Sequence, residues 1–152
     1  MERQKLHVWR PSANILREYT VNDCARYNEN GFVITLSDIY GTTLEIVYDR
    51  YSQIIGDYIW AFRYKNEIPQ PGYLVHLMEE ARKEDNDVEN FDPYKITFYK
   101  MINSDFIKEM GFESMKDAPK LEHHLYPFYE GIFEVISEYE PKVILKNKKD
   151  KN

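Results

Sequence analysis

Three features of the sequence predict an α+β fold with a mostly antiparallel sheet. Runs of period-two alternation adjoin one another through short turns. Two stretches, about 71–84 and 104–110, change to helical spacing. The order is strands, helix, strand, helix, strands, without the regular alternation that a doubly wound parallel sheet requires.

The elements follow in chain order. REYTVNDCARY reads as one or two strands, with Asn22-Asp23 as a turn. GFVITLSD and TTLEIVYD flank a Gly-containing connector: Phe32, Ile34 and Leu36 alternate with Val33, Thr35 and Ser37, and Leu44, Ile46 and Tyr48 with Thr43, Glu45 and Val47. That is the pattern of a β-hairpin with one buried face. In YIWAFRYK, Tyr58, Trp60, Phe62 and Tyr64 fall on one side, an aromatic face suited to packing across a sheet. After Pro69-Gln70-Pro71-Gly72 the period changes. Tyr73, Leu74, Leu77, Met78 and Ala81 recur at helical spacing, Pro71 suits the first turn, and the polar run KEDNDVENFDP ends the helix. A strand resumes at Tyr94. Asn103 or Ser104 then caps a short helix carrying Phe106, Ile107 and Met110, with Gly111 as its stop. LEHHLYPFY and GIFEVISEY read as strands on either side of Glu130-Gly131. Pro127, which has no backbone donor, places the first at an edge or a bulge. Pro141 interrupts the chain before VIL.

The 152 residues suit one domain, expected over 1–145, followed by a basic, disordered tail over 146–152. Apolar residues are 43% and charged residues 30%, an ordinary globular balance, but 13 Tyr are an excess that suits half-wet strands and interfaces. Cys24 is the only cysteine, so no internal disulfide forms and a reducing compartment is favoured. No apolar run approaches the roughly 20 residues that span a bilayer. The expectation is a soluble cytoplasmic protein without a membrane partner. Net charge is −6; the tail holds four Lys and one Asp, +3, which leaves −9 on residues 1–145. Phosphate backbones repel such a body, which argues against nucleic acid as a partner.

Catalytic signatures are scarce. Asp85, Asp87 and Glu89 take the first, third and fifth places of a calcium loop, but the sixth and twelfth hold Asn90 and Ile96 in place of Gly and Glu. His76 with Glu79 and Glu80 lacks the second His of a zinc-protease helix. His123 and His124 are neighbours on a strand, so they point to opposite faces and cannot chelate one ion together. Cys24 matches no cysteine-enzyme signature. None of Ser12, Ser37, Ser52, Ser104, Ser114 and Ser137 has the flanking glycines of a nucleophile elbow, and no phosphate loop or dinucleotide fingerprint is present. No catalytic residue, metal or cofactor is expected.

The C-terminal third carries a resemblance. Phe98-Tyr99, Asn103-Ser104, His123-His124, Val135-Ile136-Ser137 and Glu140-Pro141-Lys142-Val143 make up a pattern similar to that of small proteins of Gram-positive bacteria which look like the immunity partners encoded beside polymorphic toxins. The resemblance implies a bacterial, antitoxin-like protein that binds a toxin domain, and its motifs are structural. Combined with the acidity and the tyrosines, it favours a protein-binding inhibitor. The contact surface is placed on the acidic stretch, at Glu84, Asp85, Asp87, Glu89 and Asp92. Two other classes compete. One is a hydrolase-like enzyme with a dispersed site that uses His123 or His124 with a carboxylate; the other is a phage or mobile-element assembly protein. Neither the toxin nor the oligomeric state is legible.

Overall fold

The computed structural model describes residues 3–11, 22–66, 72–86, 97–115, 118–128 and 131–146. Its strands are β1 (Lys5–Trp9), β2 (Asn22–Asn28), β3 (Gly31–Ser37), β4 (Thr43–Tyr48), β5 (Ala61–Asn66), β6 (Phe98–Ile102), β7 (Glu122–Phe128), β8 (Gly131–Ser137) and β9 (Lys142–Lys146). They form two sheets, a five-stranded one in the order β1-β6-β7-β8-β5 and a four-stranded one in the order β2-β3-β4-β9. Every pairing is antiparallel. The α+β class therefore holds, and its strands divide into two facing layers.

Alternation explains the packing. The inward residues of the β3–β4 hairpin, Phe32, Ile34, Leu36, Leu44, Ile46 and Tyr48, meet Phe98, Tyr126, Phe133 and Val135 of the five-stranded sheet. The other face of that sheet is covered by helices. On α1 (Gly72–Glu84), Leu74, Leu77, Met78 and Ala81 pack on Leu6, Tyr99, Met101, Leu125 and Ile132. On α2 (Asp105–Glu109), Phe106 and Ile107 pack on Ile136 beside Trp60 and Phe112. At its centre the five-stranded sheet is thus buried on both faces, which is why GIFEVIS is buried throughout and does not alternate wet with dry.

The helix ends have local causes. Arg82 and Lys83 in the last turn of α1 complement its dipole, and Asn86 just beyond adopts a left-handed φ of 60°. Ser104 is the N-cap of α2; its Oγ accepts from the Ile107 N–H. After α2 the chain turns at Gly111, φ 71°, into a single 3-10 turn at Phe112–Ser114.

Several details depart from expectation. Asn22 and Asp23 do not turn; they begin β2, opposite Ser37 and Leu36. The four aromatics of YIWAFRYK do not share a face. β5 begins only at Ala61, and Trp60 packs on Phe112 on the helical side while Tyr58 and Phe62 join the core between the sheets. β7 is a central strand. Its described pairing with β6 ends at Leu125, however, so Pro127 lies past the last described rung on that side and opposes Ile132 of β8. Lys146 belongs to β9, opposite Thr43 and paired with Glu45, so it is not part of a disordered tail. The possible strand over 17–21, Pro71, the strand start at 94–96 and residues 147–152 lie outside the described residues.

At the start of β3 the backbones approach closely. Gly31 has φ +128°, and a Cβ there would sit 2.3 Å from the Tyr48 carbonyl oxygen. Gly31→Ala is expected to cost more than about 1 kcal/mol of stability, seen as a lower urea midpoint with an unchanged slope.

Candidate functional site

β7 delivers its two histidines to opposite faces, as alternation requires. Both are buried, at 1% and 0% exposure. His123 faces the helices. Its Nδ1 is 2.7 Å from Ser104 Oγ, and its Nε2 is 2.8 Å from Oε1 of Glu134 on β8. Arg63 of β5 grips the same carboxylate twice, Nε to Oε2 at 2.6 Å and an Nη to Oε1 at 3.0 Å, while its guanidinium lies over the Phe106 ring. Burial alone would raise the Glu134 pKa. The hydrogen bonds from His123 and Arg63 outweigh it and hold the carboxyl at about 2. An ionised carboxylate only accepts, so Nε2 carries a proton, and in the neutral ring Nδ1 is the acceptor for the Ser104 hydroxyl.

His124 faces the four-stranded sheet. It stacks on Trp9 at 4.5 Å; its Nδ1 is 2.7 Å from the Tyr48 hydroxyl, and its Nε2 is 2.9 Å from Glu122. Tyr48 in turn meets Tyr126, oxygen to oxygen at 2.5 Å. Burial lowers the His124 pKa despite the pull of Glu122, and it raises both tyrosines well above their usual value. The hydrogen bond from His124, with Lys100 nearby, holds Glu122 below its usual value. This second network reaches solvent at the partly exposed Glu122 and is otherwise buried, a polar rivet between the sheets.

The first network has a cleft beside it. A cavity of about 360 Å³ is lined by Ser104 together with Met101, Ile107 and Leu121, and also by Asn103, Lys108 and Lys120. Asn103 joins β6 to the cap with a left-handed φ of 56°, and its side-chain amide donates to the Arg3 carbonyl. Ser104 escaped the sequence reading as a partner for histidine because only the cap signal was visible there. The available clue was Glu134, a lone charge inside the apolar run GIFEVIS.

The acidic stretch is partly engaged within the chain. Glu84 pairs with Lys5 at 2.6 Å, and Asp85 makes a two-pronged pair with Arg10 that holds its pKa below the usual carboxylate range. Asp87, Glu89 and Asp92 lie outside the described residues. His76 bonds Glu80 one turn along α1, Glu79 bonds Lys83, and Cys24 is exposed on β2. Among the described residues, no group of three or more His, Cys, Asp or Glu is placed to hold a metal, and no helix is long and apolar enough to cross a membrane.

A separate surface lies where the loop over residues 49–58 joins β4 to β5. Ser52 and Asp57 form an isolated bridge, with Gly56 turning at φ 67°. Glu138 accepts from both Ser52 Oγ (2.8 Å) and Trp60 Nε1 (3.0 Å). The Tyr139 hydroxyl accepts from the Arg50 N–H and reaches the Arg50 and Tyr58 carbonyls. On this fixed frame Tyr51 and Ile54 stay 59% and 49% exposed. Tyr27 of β2 is also exposed; partial burial, and after it the charge of nearby Asp57, raises its pKa. No protein-family model matches the chain, and no curated protein or solved structure matches it.

The buried networks make stability pH-dependent. The folded His124 value lies below the ordinary 6.5, so the unfolded chain takes up that proton first and stability falls as pH drops below about 6.5. The stabilisation from Glu122 and Glu134 is present above the ordinary 4.5 and is lost as pH falls from there through their lowered folded values. The urea midpoint is expected to be lower at about pH 5.5 than at about pH 7.5, and His124→Gln should shrink that difference.

Proposed function

We propose that this chain is a protein-binding inhibitor of the immunity type, which neutralises a basic partner protein by docking the 49–58 loop against it. One observation carries the reading: a loop fixed by Glu138 and Tyr139 holds large apolar side chains, Tyr51 and Ile54, out in water. Exposed apolar groups on a mobile loop would be ordinary surface. On a rigid frame they are ready to bind, because little ordering entropy remains to be lost on association. Tyr is also the residue type that concentrates interface energy, since its flat ring fills pockets and its hydroxyl keeps a polar contact.

Charge and the resemblance to toxin-neutralising proteins add support. A net charge of −6 draws a cationic partner and repels nucleic acid. The stretch from Glu84 to Asp92 contributes to that field. With Glu84 and Asp85 already paired to Lys5 and Arg10, its role is to steer the partner, and the contact itself falls to the loop.

The test starts from the tagged chain in its native cell, where a stoichiometric basic partner should co-purify. Expression of that partner alone should harm the cell, and co-expression of this chain should relieve the harm. The double variant Tyr51→Ala, Ile54→Asp should weaken the purified complex by at least about 100-fold with an unchanged melting temperature. Charge reversal at Asp87, Glu89 and Asp92 should slow association at low salt and leave dissociation alone. A partner that binds the loop variant as tightly as the wild type refutes the docking surface; a cell that yields no such partner refutes the function.

A further inference from the structure

We propose that Ser104, His123 and Glu134 form an acyl-transfer site that hydrolyses small carboxylic esters bearing a negative charge, with the cleft beside α2 as the substrate pocket. The three side chains lie in line, 2.7 Å from Ser104 Oγ to His123 Nδ1 and 2.8 Å from His123 Nε2 to Glu134. They come from the start of α2, from β7 and from β8, so three elements are needed to assemble them. The arrangement suits the chemistry: the carboxylate selects the neutral tautomer with its proton on Nε2, and Nδ1 of that tautomer is aimed at the serine hydroxyl. Imidazole is conjugated through both nitrogens, so Nδ1 serves as the base as well as Nε2 does.

Capping α2 does not by itself account for this construction. A cap needs only an oxygen that accepts from the Ile107 N–H, which Asn or Asp at position 104 supplies equally well. A buried imidazole backed by a buried ionised carboxylate adds a desolvation cost that capping does not require. Ser104, itself 4% exposed, stands in the wall of a cleft of about 360 Å³, the space in which an ester would lie. The apolar lining of Met101, Ile107 and Leu121 suits a short acyl chain, and Lys108 and Lys120 supply positive charge for an anionic substituent and for the developing oxyanion.

In the reaction Ser104 Oγ attacks the acyl carbon and gives its proton to His123 Nδ1. The tetrahedral adduct collapses, the C–O bond to the alcohol breaks, and the leaving oxygen takes the proton from Nδ1. Water then attacks the acyl-serine, its proton passes to Nδ1 and on to Oγ, and a carboxylic acid departs. The sum is ester plus water to acid plus alcohol, with no oxidant or cofactor. Glu134 and Arg63 act as positioning residues: Glu134 holds the imidazole, Arg63 holds Glu134, and neither lines the cleft.

The test uses the full chain with para-nitrophenyl acetate, its anionic counterpart para-acetoxybenzoate, and a fluorophosphonate probe read by mass spectrometry. Hydrolysis above the buffer rate, preference for the anionic ester and a probe adduct on Ser104 are expected. Ser104→Asn keeps an N-cap of equal rank and removes the nucleophile, so it should still fold cooperatively, at some cost from the lost bond to His123, take no label and lose at least about 100-fold in kcat/KM. Lys108→Ala with Lys120→Ala should reduce turnover of both esters, and of the anionic one more. A wild-type chain that neither labels nor hydrolyses either ester, or a Ser104→Asn variant that hydrolyses as well as the wild type, overturns the proposal. Loss of the docking loop bears on neither outcome.

Discussion

The central strands of the five-stranded sheet, β7 and β8, have no wet face, and the rest of the molecule follows from that. Helices cover one side and the four-stranded sheet the other, so any polar side chain on β7 or β8 must find its partners within the protein. An unpaired carboxylate or imidazole at such a position would cost several kcal/mol. Glu134 accordingly draws in Arg63 from the edge strand and His123 from its neighbour, and His123 reaches out to Ser104. His124 ties the two sheets through Tyr48. The position of α2 is set from both ends of this logic, by Phe106 and Ile107 in the core and by Ser104 in the polar chain.

Much of the fold was legible because it depends on local period. The hairpin of β3 and β4, the stripe on α1 and the cap of α2 are each encoded within a dozen residues, and each appears where its pattern lies. The opposite orientation of His123 and His124 follows from strand geometry alone, and so it was also legible. The mistakes fell where tertiary contacts overrule period. Trp60 leaves the aromatic face of its neighbours because Phe112 and Glu138, distant in sequence, offer it a better site. Asn22 and Asp23 extend into a ladder because Leu36 and Ser37 provide rungs.

The candidate sites were less legible, for a physical reason. Ser104, His123 and Glu134 are separated by 19 and 11 residues, and no local pattern announces that three elements bring them together. The exposed loop is equally non-local: its order comes from Glu138 and Tyr139, and nothing inside residues 49–58 distinguishes it from an ordinary turn. The acidic stretch attracted attention because charge density is visible in a sequence, whereas the engagement of Glu84 and Asp85 by β1 is visible only in three dimensions.

The clamp on that loop has a consequence for how the protein comes into being. Tyr139 stands 89 residues downstream of Arg50, and β9, the last strand among the described residues, closes onto β4 from about a hundred residues downstream. On the ribosome the loop emerges long before anything exists to hold it. Contacts of such long sequence separation form late and slowly. A nascent chain therefore has the loop's residues without its shape until Glu138 and Tyr139 have been made.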